Sequence, residues 1–233
     1  TGAFNNANAG TSKTVTITPS YTGADVSNYS VTDHSTITAD IAVKALTATA
    51  SASNKTYDGT TTATTTLTFS GLVGSETLGQ TVGSTFNNKN VGTGKTVTVN
   101  SITLADGTGL AANYSISPGQ TTTADVTAKA LSVSGITASN KTYDATTTAT
   151  LNTGSVTYTG LVSGDVFNGT YTGAFSDKNV GTGKTVTITP SYTGADVSNY
   201  SVTDHATVTA NITAKALTVS GITALDKGYD GNA

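Results

Sequence analysis

The chain has 233 residues and a formal net charge of −3, and all 11 of its basic residues are lysines. This balance gives a phosphate backbone little to bind, so we expect no nucleic-acid partner. Cysteine is absent, which excludes a disulfide framework and thiol chemistry. No apolar run is long enough to cross a membrane, so we expect no membrane insertion of this segment. Threonine supplies 53 residues, and a β-branched residue at that frequency predicts an all-β protein.

The strands are predicted by strict alternation of apolar and polar residues. The run KTVTIT near the start alternates Val15 and Ile17 with threonines, which places the apolar side chains on one face of a strand. The run TVTANIT at 207–213 alternates in the same way. Turn-forming residues separate such runs. Six or seven strands per repeat predict a small antiparallel β-sandwich, for which immunoglobulin-like and β-grasp-like topologies both fit. A β-grasp would require residues 193–200 to form a short helix.

The sequence repeats with a period of about 86 residues, the separation of Tyr57, Tyr143 and Tyr229. The tripeptide Lys-Ala-Leu opens each repeat, so the inter-module junctions are assigned to Lys44, Lys129 and Lys215. We name the parts from these positions. The N-terminal segment (1–43) is the C-terminal half of a module, and repeat A (44–128) and repeat B (129–214) are complete modules. The C-terminal segment (215–233) is the N-terminal part of a further module. A chain that starts and stops within a repeat is expected to be a slice of something longer.

The apolar phase changes at each junction. Val126 lies on an even position and Leu131 on an odd one, and a single strand cannot present both phases to one core. We therefore expect the chain to leave one core and enter the next at this point. The crossing contains neither glycine nor proline and should be stiff, so the repeats are expected to stack end to end as a rod.

The sequence NKTYDGTT at 54–61 returns as NKTYDATT at 140–147. Ala145 stands where the other copies have glycine, and alanine is unfavourable at a positive φ. We therefore expect a type I turn or bulge rather than a type I′ hairpin, with the aspartate capping the backbone. The tyrosine is expected to be a packing anchor, and Lys141 to contribute little. The residues given this structural role are Tyr57, Asp58, Gly59, Tyr143, Asp144, Tyr229, Asp230 and Gly231.

Three kinds of chemistry are considered and not favoured. His34 and His205 each follow an aspartate, but repeat A lacks the pair, so a surface role is preferred to catalysis. A junction calcium site would need several carboxylates, whereas the junctions offer only Asp40 and Asp125, and Asn211 stands in their place in the third. An isopeptide cross-link would use the recurring lysines, which are expected instead to be solvated residues of strand edges. No metal, cofactor or enzymatic activity is predicted.

Several stretches together resemble YDG-type repeats: KALTVSGITASNKTYDATTTATL, FSDKNVGTGKTVTI and GADVSNYSVTDHATVTANIT. Such repeats occur in large exported, filamentous-haemagglutinin-like surface proteins of Gram-negative bacteria. The resemblance covers nearly the whole chain. It implies secretion, a cell-surface location and a role as a repetitive stalk, and it implies no catalytic residues.

We therefore expect a non-enzymatic stalk or spacer repeat of a large secreted adhesin or extracellular fibre, whose partners are the adjacent repeats of its own chain. Two alternatives stay open at this stage. One is an adhesive module that contacts a glycan or another surface through threonine- and tyrosine-rich faces. The other is a filament subunit in which identical chains complete the half-modules.

Overall fold

A computed structural model describes all 233 residues and is all-β, with 22 strands, three short 3₁₀ turns and no α-helix. The chain divides into two compact units, residues 1–128 and 129–233. No helix in either unit has the length and apolar character needed to span a bilayer.

The N-terminal segment forms a three-stranded antiparallel sheet in the order β1-β2-β3. Its apolar side chains are only partly covered, and Phe4 and Ile37 are exposed. Its strands are β1 (Gly2–Phe4), β2 (Gly10–Ile17) and β3 (Thr36–Ile41). A 3₁₀ turn covers Val26–Asn28.

Repeat A contains a five-stranded sheet in the order β6-β12-β10-β9-β7, with the pairs β4–β11 and β5–β8 beside it. Its 3₁₀ turn is Ala111–Asn113. Its strands are β4 (Lys44–Ala45), β5 (Thr47–Ala52), β6 (Lys55–Thr56), β7 (Thr62–Ala63), β8 (Thr65–Ser70), β9 (Leu78–Phe86), β10 (Gly92–Asp106), β11 (Tyr114–Ser115) and β12 (Thr121–Thr127).

Repeat B builds the same five-stranded sheet, in the order β15-β22-β20-β19-β16, with sheets β18-β13-β21 and β14-β17. Its strands are β13 (Lys129–Ser134), β14 (Thr137–Ala138), β15 (Lys141–Thr142), β16 (Thr148–Ala149), β17 (Leu151–Asn152), β18 (Thr157–Thr159), β19 (Asn168–Phe175), β20 (Gly181–Thr193), β21 (Tyr200–Thr203) and β22 (Thr207–Thr213).

The expected antiparallel pairing does not hold for four of the strand pairs. Most pairs are antiparallel, but β4 runs parallel to β11, β6 to β12, β13 to β21 and β15 to β22. Alternation along a strand shows which face is buried, but it carries no information about the direction of the neighbouring strand. The parallel pairs join the start of each repeat to its end, so each repeat is closed by contacts between residues about 70 positions apart.

The predicted strands are confirmed where the core is complete. In β20, Val186 and Ile188 are buried and the threonines that alternate with them are exposed, as the alternation predicts. One cluster in repeat B packs Phe175, Val186 and Ile212 together, and a second packs around Ile136.

The junction residues differ in their surroundings. Val126 is buried in repeat A and Leu131 in repeat B, which is the change of phase seen in the sequence. Lys44 begins β4 and Lys129 begins β13, whereas Lys215 lies in no strand. Between the end of β20 and the start of β21, the segment 193–200 forms only the three-residue 3₁₀ turn Val197–Asn199 and no α-helix.

Candidate functional site

The repeated sequence NKTYD lies at one edge of the five-stranded sheet. In repeat B it supplies β15, pairs in parallel with β22, and leads through residues 143–147 to β16. Strand β16 pairs with β19 at the opposite edge of the same sheet. The loop is therefore not a hairpin between paired strands; it connects the two edges of one curled sheet.

Lys141 holds this loop together. Its ammonium group donates to the carboxylate of Asp144 at 2.8 Å and to the carbonyl oxygens of Thr146 and Thr148 at 2.8 and 3.0 Å. The group also lies 5.5 Å from the ring centre of Phe175, within the range of a cation–π contact. The side chain is only 16% exposed, so the expectation of a solvated edge lysine is wrong.

Repeat A reproduces this arrangement. The ammonium of Lys55 lies 2.8 Å from Asp58, 2.8 Å from the carbonyl oxygen of Thr60 and 3.0 Å from that of Thr62. In both repeats one lysine donates to two carbonyl groups, one in the loop and one on the edge strand that follows it, although the threonines that carry them are exposed. The recurrence shows that the lysine is part of the fold of each repeat.

The aspartate caps the turn, as the sequence predicts. Asp144 accepts a hydrogen bond from the amide of Thr146 at 2.9 Å, and Asp58 does the same for Thr60 at 2.8 Å. The hydrogen bond from Lys141, followed by those from Thr146, lowers the pKa of Asp144 to about 2. Burial raises the pKa of Asp58, but the hydrogen bonds from Lys55 and Thr60 outweigh it, so the pKa is below its ordinary value.

Ala145 has a positive φ, contrary to the expectation from alanine at this position. Its φ is +67°, close to the +80° of Gly59 and Gly231, so alanine does occupy the left-handed region here. A type I′ turn is nevertheless absent, because Asp144 does not share the positive φ. The contacts of Lys141 and Asp144 on either side hold the backbone in this conformation despite a cost of about 1 kcal/mol for a residue with a Cβ atom.

The expectation that all three tyrosines of the motif are packing anchors is wrong for Tyr229. Tyr57 is 1% exposed and Tyr143 is half-buried, and both donate their backbone amides across the sheet, to Thr127 and Thr213 at 2.8 Å. Tyr229 is fully exposed. The turn around it persists, because Lys227 lies 2.9 Å from Asp230, and Asp230 accepts from the amide of Asn232.

The asparagine that opens the motif was not assigned a role from the sequence. Asn140 accepts a hydrogen bond at 2.7 Å from the backbone amide of Asn211 in β22, and Asn54 accepts one at 2.7 Å from Asp125 in β12. Its fixed position one residue before the lysine was the available signal.

One side chain near each junction, an aspartate or an asparagine, caps a β-bulge. Asp125 accepts from the amide of Gly94 at 2.7 Å, and Asn211 accepts from that of Gly183 at 2.7 Å. Only a side-chain oxygen acceptor is needed, which explains why asparagine replaces aspartate. The sequence Gly-Thr-Gly-Lys thus forms a bulge at the start of β10 and of β20.

The second recurring lysine also serves the fold. Lys184 is 12% exposed and lies 2.5 Å from Asp177, whose pKa is lowered by that hydrogen bond. In repeat A, Lys95 donates to Asn88 at 2.5 Å. These lysines are therefore also not the solvated edge residues that the sequence suggested. The absence of an isopeptide bond stays a prediction, which intact mass measurement would test.

The Asp-His pair is divided between two partners. Asp204 accepts from the hydroxyl of Tyr192 at 2.5 Å, while Nδ1 of His205 lies 3.3 Å from the amide of Ile136. Burial and the bond to Asp204 raise the pKa of Tyr192. His34 is exposed. No group of three or more histidine, aspartate or glutamate side chains is arranged to hold a metal ion.

The motif thus forms the same closed loop twice, at the same place in the same sheet. The family model described as the YDG domain matches residues 42–124 and 127–210, more than two thirds of the chain. The chain belongs to the YDG domain family. In both YDG domains of this chain, the tyrosine and aspartate together with the preceding lysine close the sheet. A search of curated proteins and one of solved structures each returned no match.

Proposed function

We propose that these YDG domains are non-enzymatic stalk repeats of a large secreted bacterial surface adhesin or extracellular fibre, stacked as a rod of small β-sandwiches. The observation that carries the proposal is the use of the recurring polar residues. Asn140, Lys141 and Asp144 all bind the backbone of their own repeat, so the polar residues that recur in both complete repeats serve the fold. A chain that multiplies such a unit gains length and stiffness.

Scattering from chains of different length tests this proposal. The 233-residue chain would be compared with chains lengthened by one and by two further copies of residues 129–214. A stalk should gain the same increment of maximum dimension with each added repeat. A maximum dimension that stays nearly constant, as in a compact globule, would refute the rod.

A second candidate, adhesion through a threonine face, is supported by one specific arrangement. On the exposed side of β20, threonines stand opposite threonines of both neighbouring strands, with Thr185 facing Thr209, Thr187 facing Thr207 and Thr189 facing Thr172. Repeat A has the pairs Thr96–Thr123 and Thr98–Thr121. Adjacent strands lie about 4.8 Å apart, so hydroxyl groups form a regular array that could contact glycan hydroxyls or ordered water.

Threonine-to-valine substitution separates this candidate from the stalk. A chain with Thr187→Val and Thr189→Val keeps the β-branched shape but loses two central hydroxyls. If the face is adhesive, glycan-array or ice-affinity signals should be present in the original chain and fall in this variant, while scattering is unchanged. Blank assays with the original chain would remove the candidate and leave the stalk proposal intact.

A further inference from the structure

A side chain of repeat A reaches the N-terminal segment at a point away from the covalent connection. The Oδ1 atom of Asn113 accepts a hydrogen bond from the backbone amide of Ala9 at 2.8 Å. Its Nδ2 atom donates to Oδ1 of Asn8 at 3.2 Å. One amide side chain thus uses both its acceptor and its donor on the loop between β1 and β2.

The position of Asn113 is set by the connection between the two parts. Strand β3 ends at Ile41 and β4 begins at Lys44, so only two residues intervene. Strand β4 pairs in parallel with β11, which places Tyr114 opposite Lys44. Asn113 precedes Tyr114 at the end of its 3₁₀ turn. The linker and the asparagine contact are therefore two separate attachments, and a second attachment removes the rotation that a single linker allows.

Packing at this junction is open. A cavity of about 260 Å³ lies between the two parts, lined by residues that include Asn8, Ile41, Lys44, Glu76 and Asn113. Apolar side chains do not fill the space, so we infer that the directional hydrogen bonds of Asn113 contribute to fixing the orientation. A hydrogen bond with defined geometry resists rotation, whereas an unfilled cavity supplies few dispersion contacts.

Asn28 gives an internal comparison. It lies in the same Asn-Tyr-Ser sequence and ends the same kind of 3₁₀ turn as Asn113. Its side chain is exposed, whereas that of Asn113 is half-buried against the loop at 7–9. The 3₁₀ turn therefore forms whether or not the asparagine side chain has a contact. At Asn113 that side chain is available to bind an adjacent module.

We propose that Asn113 fixes the orientation of the preceding module relative to repeat A, because its side-chain amide binds the loop of that module through two hydrogen bonds. We call this contact the orientation lock. The partner is a neighbouring YDG module, recognised through a backbone amide in the loop that corresponds to residues 5–9. The role of this contact in stiffening a stalk rests on the proposed function. The contact itself can be measured whether or not the chain is part of a stalk.

Amide hydrogen exchange of Ala9 in the full chain tests the lock directly. In Asn113→Ala the amide of Ala9 loses its acceptor, and its exchange should quicken about fivefold, the change in an equilibrium constant that corresponds to one net hydrogen bond. Asn8→Ala keeps that acceptor and should have a smaller effect. The matched control Asn28→Ala should leave Ala9 unchanged. Unaltered exchange in Asn113→Ala, or an equal change in Asn28→Ala, would overturn the proposal.

Spin-label distances test the orientation itself. The chain has no cysteine, so Thr38→Cys and Thr68→Cys place one label on the N-terminal segment and one on repeat A, both at exposed positions. The distance distribution should be narrow in the original chain and in Asn28→Ala, and broader in Asn113→Ala. A distribution that Asn113→Ala leaves equally narrow would refute the lock. Linear growth in the scattering experiment would then still support the stalk, so the two failures are distinguishable.

Discussion

Lys141 and Thr148 lie on opposite edges of one five-stranded sheet, yet the ammonium nitrogen of Lys141 is 3.0 Å from the carbonyl oxygen of Thr148. The sheet is curled so far that a lysine side chain crosses the remaining gap. An open edge exposes unpaired carbonyl groups to other strands, and here the lysine binds that of Thr148 together with one in the preceding loop. The same contact joins Lys55 to Thr62 in repeat A.

Removal of this ammonium should destabilise the repeat. Lys141→Ala leaves the carbonyl groups of Thr146 and Thr148 without their donor and should cost about 2 kcal/mol of unfolding free energy, the typical contribution of hydrogen bonds to a charged group. Urea unfolding of the full chain would measure it. The control is Lys178→Ala, a change at an exposed lysine that should have no measurable effect. Equal stability of the two variants would contradict the closing role.

The tyrosine of the motif should matter in proportion to its burial. Tyr57→Ala removes a side chain that is 1% exposed and should cost about 3 kcal/mol, as large-to-small changes in a core do. Tyr143→Ala should cost less, since that ring is half-buried. Tyr229→Ala changes the same motif at a fully exposed position and should be neutral by thermal unfolding. A neutral Tyr57→Ala would show that the ring is not an anchor.

Replacing Ala145, which has a left-handed backbone conformation, should raise the free energy of unfolding. Ala145→Gly should stabilise repeat B by up to about 1 kcal/mol, because glycine adopts a φ of +67° without the clash of a Cβ atom. The reciprocal change, Gly59→Ala, should destabilise repeat A by a similar amount. Calorimetry of the two variants should show shifts of opposite sign; shifts of the same sign would be inconsistent with strain at this position.

Acid should weaken the closed loop through Asp144. Its pKa is lowered to about 2 from an ordinary value of 3.8, so the folded state favours the ionised carboxylate. The resulting stabilisation is fully present above about pH 4 and is lost as the pH falls through about 2. Asp144→Asn can still cap Thr146 but has no charge, so its unfolding temperature should fall less between pH 5 and pH 2. A pH dependence as steep as that of the original chain would exclude this contribution.

The bulge should need an acceptor rather than a charge. Asp125→Asn should be nearly neutral, because Asn211 makes the equivalent 2.7 Å bond in repeat B. Asp125→Ala leaves the amide of Gly94 without that acceptor and should cost about 1 kcal/mol. Thermal unfolding of the two variants would separate them, and a large loss in Asp125→Asn would indicate that the negative charge has a further role.

The sequence by itself determined the strands, the repeat period and the cap. Val186 and Ile188 alternate with threonines, and that alternation is a property of neighbours along one strand. The bond from the amide of Asn232 to Asp230 forms even in the segment 215–233, which has no strands. Both features depend on residues within a few positions of each other, and local sequence is sufficient for them.

Only the tertiary structure decided the parallel pairs and the role of Lys141. Lys129 lies beside Tyr200, 71 positions away, and alternation along either strand does not specify that direction. The carbonyl groups that Lys141 binds are close in sequence, but they need a donor because the sheet curls and leaves its edge strands unpaired. Ala145 keeps its positive φ for the same reason. The contacts around it fix the backbone, and the preference of a single residue for negative φ is outweighed.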